Sequence, residues 1–157
     1  MSLTALQAAA ILGQATDWRV TNLQIQKILY LSHMFYMGRA NNIAQPLLDE
    51  AFEAWDYGPV IPSLYHKLKP FGASPIPASF LKQYLPSQQV TDDQLSMVNI
   101  IKELSDKLTQ FTPGQLVAIT HKEQGAWDKH YNSARKGIKI DNQAILQEYK
   151  DINGDTY

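Results

Sequence analysis

Apolar positions follow two different patterns in this chain. Between residues 92 and 109, Leu95, Val98, Ile101, Leu104 and Leu108 recur at three- and four-residue steps. That spacing predicts an amphipathic helix with one face on a core. Each such side chain is worth about 1.5–3 kcal/mol when fully buried, enough together to dock the helix. The segment "LQIQKILYLSHMFYM", residues 23–37, is instead apolar on most sides, which predicts a helix surrounded by the rest of the fold. Residues 3–15 favour helix through their alanine and leucine content. Leu64 and Leu68 share one face of a shorter helix expected near 62–69.

Polar positions mark where these helices begin. Thr21 with Gln24 forms a capping box, and Val20 with Ile25 a hydrophobic staple. Gly38 then stands at the C′ position, ending the helix at Met37. The same signal recurs at Thr91 with Gln94, and at Thr112 with Gln115, where Pro113 takes the favoured first helical position. Ile140-Asp141 with Ile145 supplies the staple without the box. Helices are therefore expected near 92–109, 113–122 and 142–150. Short extended pieces are expected around 46–55 and 84–90. The segment "PFGASPIPASF" reads as a proline-rich connector, the softest point of the chain. The expectation is a mostly α, compact single-domain helical fold over residues 1–157 with short strand pieces.

The segment "EAWDYGPVIP", residues 53–62, breaks this helical grammar. A residue before proline is pushed out of the α region, glycine reaches backbone angles closed to other residues, and Pro62 can open the next helix. In extended backbone Trp55 and Tyr57 point to one side and Asp56 to the other. Two readings follow: the aromatics anchor the corner to the core, or the corner forms one wall of a binding groove. Trp and Tyr on a stiff turn are low-entropy contact residues.

Composition narrows the chemistry. Hydrophobic residues make up 45% and charged residues 18%, an ordinary globular balance. A chain of 157 residues buries about two thirds of its unfolded surface and needs no metal or disulfide to hold its fold. Cysteine is absent, which excludes disulfides, thiolate zinc sites and a cysteine nucleophile and fits a reducing cytoplasm. "ALQAAAIL" is too short to span a bilayer, and no charged region followed by an apolar signal run precedes it. A cytoplasmic protein is expected, without a membrane partner. The formal net charge of −1 gives no global basic field for nucleic acid.

Catalytic groups are sparse. His121 and His130 are nine residues apart, not the spacing of a helical zinc pair. His66 could act as an acid–base group with Glu53 or Asp56, but a solvated helix histidine is the better reading. No Gly-rich phosphate loop is present. His33, in an apolar helix, reads as a core histidine with partnered ring nitrogens. His121 falls at a helix C-terminus, where the dipole favours a protonated imidazole. Lys27, among Ile25, Ile28 and Leu29, either snorkels or pairs with a carboxylate such as Glu53 and orients the corner. Arg135, Lys136 and Lys139 form a basic run that is either solvated surface or a site for an acidic protein face or RNA. No metal and no cofactor are expected.

Three segments, "LQIQKILYLSHMFY", "PLLDEAFEAWDYGPVIPSLYHKLKPFG" and "ITHKEQGAWDKHYNSARKGIKIDNQAILQEYK", resemble in order and spacing the Panacea domain, the SocA-like family of antitoxins and phage-associated proteins. The resemblance covers roughly residues 20–72 and 113–150 and is weak over 73–112. Ala126 stands before Trp127 where the family pattern leads one to expect proline. The resemblance implies a mostly helical domain that neutralises a toxin encoded alongside it by direct contact. A relative that looks like an adaptor adds the alternative of delivering the toxin to a AAA+ protease. A small-ligand or hydrolytic enzyme using His66 or His121 is a further alternative. On the antitoxin reading the partner-binding residues are Trp55, Asp56, Tyr57, Gly58, Pro59, His66, His121 and Trp127, with Lys27 and Glu53 orienting them.

Overall fold

The computed structural model describes residues 2–86 and 91–154. Its centre is helix α2 (Asn22–Ala40), packed by α1 (Ala5–Ala15), α5 (Asp92–Leu108), α6 (Pro113–Thr120) and α8 (Asn142–Gly154). The remaining elements are β1 (Phe52–Trp55), β2 (Gly58–Val60), α3 (Pro62–Leu68), α4 (Ala78–Leu81), α7 (Ala126–His130) and β3 (Lys139–Ile140). The strands form one antiparallel sheet in the order β2-β1-β3. The fold is thus mostly helical with a small sheet, and the strand expected within 46–55 is β1. Of the piece expected at 84–90, Tyr84 ends a 3-10 turn and Leu85 and Pro86 are not in a strand, while 87–90 lie outside the described residues.

Helix α2 is buried along most of its length, including Ile25, Ile28, Leu29, Tyr30, Met34 and Met37. Its buried polar side chains are matched by partners, as desolvated polar groups require. Gln26 accepts from the Ile61 amide at 2.9 Å and donates to Asn22 at 3.1 Å. Ser32 donates to the Ile28 carbonyl at 2.8 Å. His33 receives the Leu48 amide on Nδ1 at 3.2 Å, so its proton sits on Nε2 and is donated to Asn142 Oδ1 at 2.9 Å. That is the core histidine expected.

The capping boxes at Thr21–Gln24, Thr91–Gln94 and Thr112–Gln115 are all formed, and a fourth, Thr4–Gln7, opens α1. Asp141 accepts from the Ala144 amide at 2.8 Å at the start of α8. Gly38, by contrast, does not end α2. The helix continues to Ala40 and closes on Asn41, which takes the left-handed conformation at φ 50°. Gly38 is there because a Cβ would lie 2.2 Å from Cγ of Tyr149 on α8.

Two further expectations are corrected. Leu95 is 51% exposed, and the core face of α5 is Met97, Ile100, Ile101, Leu104 and Leu108. At about 100° per residue, Leu95 falls on the side opposite the middle of that face. The proline-rich connector is not soft. Ile76 is fully buried and its amide donates to the Val20 carbonyl at 2.9 Å, while Phe71 meets Phe80 edge-on at 5.2 Å.

Candidate functional site

Strands β1 and β2 form a hairpin in which Trp55 pairs with Gly58, leaving Asp56 and Tyr57 as a two-residue turn. Gly58 is required there twice over. Its φ is +111°, and a Cβ would lie 3.0 Å from Thr120 Oγ1 and 3.1 Å from Lys27 Cε. The turn ends the strand alternation, so Trp55 and Tyr57 do not point together. Trp55 packs edge-on against Tyr65 of α3 at 5.1 Å, whereas Tyr57 is 73% exposed.

Three side chains from elsewhere hold this tip. Trp127 Nε1 donates to the Trp55 carbonyl at 2.7 Å, Lys27 Nζ to the Pro59 carbonyl at 3.0 Å, and Tyr131 OH to Asp56 Oδ1 at 2.5 Å. The carbonyls on both sides of the turn and one of its two side chains are therefore engaged. Both turn side chains are exposed, and Tyr57 is the one that takes part in none of these bonds.

Lys27 is 2% exposed, so it does not snorkel. Nor does it pair with Glu53, whose carboxylate accepts from Trp55 Nε1 at 2.9 Å. Burial without a countercharge pushes the Lys27 ammonium down to about 7. It still orients the corner, but through a backbone carbonyl.

Trp127 sits in the middle of a three-ring ladder. His121 stacks on it at 3.7 Å and Tyr131 at 4.6 Å, with interplanar angles of 13° and 17°. The His121 backbone caps α6, donating to the Val117 and Ala118 carbonyls. Its ring is disfavoured as a cation, by burial first and then by the Lys27 charge, with Asp128 acting the other way. A protonated imidazole serving the helix dipole is thus not what this geometry selects. Beneath the ladder, the buried Glu148 of α8 accepts from the Ala126 amide at 2.8 Å and from Tyr30 OH at 3.0 Å. It thereby fixes the start of α7, the helix carrying Trp127.

The sequence-predicted residues therefore divide. Asp56, Tyr57 and His66 are exposed, Trp55 and His121 are half-buried, and Gly58, Pro59 and Trp127 are buried. The last three shape the face and cannot present a contact surface. His66 lies beside the rings of Trp55 and Tyr65 at 6.1 and 5.6 Å, not against Glu53 or Asp56. His130 is held by the Ala126 carbonyl at 2.7 Å and by Asp141 at 3.5 Å. Among the described residues no three His, Asp or Glu side chains converge as metal ligands. A cleft of about 320 Å³ beside Arg19 and Asp106 and one of about 460 Å³ beside Tyr36 and Glu103 contain no histidine in their linings.

Tyr131 and Glu148 were not singled out from sequence. Tyr131 could have been, because it follows Trp127 by four residues, the step that brings rings together along a helical turn. Glu148 stands three residues after the staple residue Ile145, on the apolar side of α8.

The family model described as antitoxin SocA-like, Panacea domain, matches residues 25–128. The chain belongs to this family. The match runs through 73–112, where the resemblance was weakest to the eye, and stops just after Trp127. The Panacea domain chain is also 28% identical over 153 residues to Antitoxin SocA of Caulobacter vibrioides (strain NA1000 / CB15N), covering 87% of this chain and 75% of that protein. No solved structure matches it. No helix of this Panacea domain, among the described residues, is long and apolar enough to cross a membrane.

Proposed function

We propose that this protein is an antitoxin that neutralises a partner toxin by direct contact, with the β1–β2 hairpin tip as the centre of the contact. The observation that carries the reading is the family membership together with one exposed ring on a fixed support. Tyr57 is 73% exposed while the turn around it is held by Lys27, Trp127 and Tyr131. A pre-ordered aromatic loses little entropy on binding, which is the economy found at interface hot spots. Half-buried Trp55 and exposed Asp56 and His66 flank it. The mechanism is occlusion, with no covalent step and no cofactor, in a cytoplasmic protein.

The test is co-expression with the product of the adjacent reading frame. That frame alone should arrest growth, and this protein should restore it. Tyr57→Ala should weaken the complex by about 2 kcal/mol, roughly 30-fold, and lose rescue while the thermal unfolding curve is unchanged. A harmless neighbour, or toxicity that persists beside the wild-type protein, would refute the antitoxin reading. Faster turnover of the toxin in rescued cells would replace occlusion with delivery to a AAA+ protease.

A further inference from the structure

Resting on that reading, we infer that the loop before β3 is a second part of the interface and that it receives an acidic patch of the partner protein. Residues 129–139 contain Lys129, Arg135, Lys136 and Lys139 and no Asp or Glu. All four cations are exposed. The ion pairs of lysine and arginine among the described residues are Arg19–Asp17, Arg39–Glu103 and Lys107–Glu103, so these four are unpaired.

Four acids on neighbouring elements each accept a hydrogen bond from within the chain. Glu53 accepts from Trp55, Asp56 from Tyr131, Asp128 from the Gln124 amide, and Asp141 from the Ala144 amide. Those carboxylates keep their charge, so the positive excess is local: it is confined to residues 129–139, where four exposed cations stand with no acid among them.

The loop is also fixed beside the tip. The Ile138 carbonyl accepts from the Ala54 amide at 2.9 Å, Lys139 is the register partner of Glu53, and Gly137 turns at φ +76° with Glu53 Oε1 3.8 Å from its Cβ direction. The Asn132 side chain accepts from the Ala134 amide at 2.9 Å, closing the turn at its start. Lys139 thus lies on the strand next to β1, Arg135 and Lys136 in the loop leading into it, and Lys129 in α7. Unpaired rim charge of this kind acts mainly on the rate of association and on the choice of partner. A nucleic acid would use the same cations, but its affinity grows with the number of phosphates contacted along a track, and four cations within eleven residues of a chain of formal net charge −1 match a local acidic patch on a protein better.

The test compares wild type, the charge-reversed R135E/K136E/K139E and the neutral R135Q/K136Q/K139Q by surface-binding kinetics against the adjacent-frame protein, at low and high salt. A single-stranded poly(U) RNA serves as the second probe. At low salt the reversal should slow association about tenfold, the neutral variant should fall between, and all three should converge at high salt. Dissociation should change little, and poly(U) should not bind. Equal association rates at low salt, with Tyr57→Ala still weakening the complex, would overturn this inference and leave the antitoxin reading standing. Poly(U) binding lost on charge reversal would overturn it in favour of nucleic acid. No complex with the wild-type protein would refute both. Unfolding curves matching wild type confirm that the variants are folded.

Discussion

Replacing Lys27 by methionine should raise stability near neutral pH and abolish its alkaline rise. The ammonium is 2% exposed, has a backbone carbonyl in place of a countercharge, and is held down to about 7 by burial. An unfolded lysine titrates at 10.5. Between these values the unfolded chain binds the proton and the folded chain does not, so unfolding free energy rises with pH across the window. The gap from 10.5 to about 7, at about 1.4 kcal/mol per pH unit, makes about 5 kcal/mol in all. The absence of cysteine keeps thiols out of the window. Tyr30, raised well above its usual 10.0, opposes the rise only above that value. In Lys27→Met the desolvation cost disappears, and the Pro59 carbonyl loses its donor at a cost of about 1–3 kcal/mol. The variant should therefore be more stable than wild type by about 2–4 kcal/mol near pH 7 and no more stable near pH 9.5. Urea unfolding read by tryptophan fluorescence at several pH values tests this. A wild-type profile that is flat, or that Lys27→Met shares, would refute the buried uncompensated amine. The same variant should lose rescue in cells despite its added stability, because the hairpin loses one of its restraints.

Other outcomes follow from the same geometry. His33, held down to about 4 by burial against a usual 6.5, should make the protein lose about 3 kcal/mol as pH falls from about 6.5 to about 4, since only the unfolded chain takes up the proton there; urea unfolding of His33→Gln should show a smaller acid loss. Gly38→Ala, although alanine favours helix by about 1 kcal/mol, should destabilise by about 1–3 kcal/mol, because its Cβ would strike the Tyr149 ring; thermal unfolding decides the sign. Trp127→Phe keeps a ring in the ladder but removes the bond to the Trp55 carbonyl. It should cost about 1 kcal/mol in unfolding and weaken toxin binding without altering Tyr57 itself.

Much of the helical framework was legible because its signals are local. Thr21, Thr91 and Thr112 each carry their partner glutamine three residues on, and the structure forms every box. Thr4 and Gln7 carry the same signal at the start of α1. What sequence reasoning missed depends on distant contacts. Gly38 looks like a helix stop until Tyr149, from the other end of the chain, is seen lying against it. Helix α7, five residues long, is too short to show a period. Lys27 stood out as a cation among aliphatics, yet its true partner is a backbone oxygen, which no side-chain pattern announces. Trp127 could be picked out by its motif, but that its indole N–H reaches the hairpin across 72 positions of sequence is a property of the fold.

The hairpin's restraints also bear on how such a protein could be retargeted. Lys27, Trp127 and Tyr131 fix the turn through Pro59, Trp55 and Asp56, and none of them touches the Tyr57 side chain through these bonds. Identity at position 57 is thus uncoupled from the assembly of the scaffold. On the proposed interface, diversifying that one residue would sample new recognition chemistry on an unchanged platform, and the tip would be an evolvable position set in an inflexible frame.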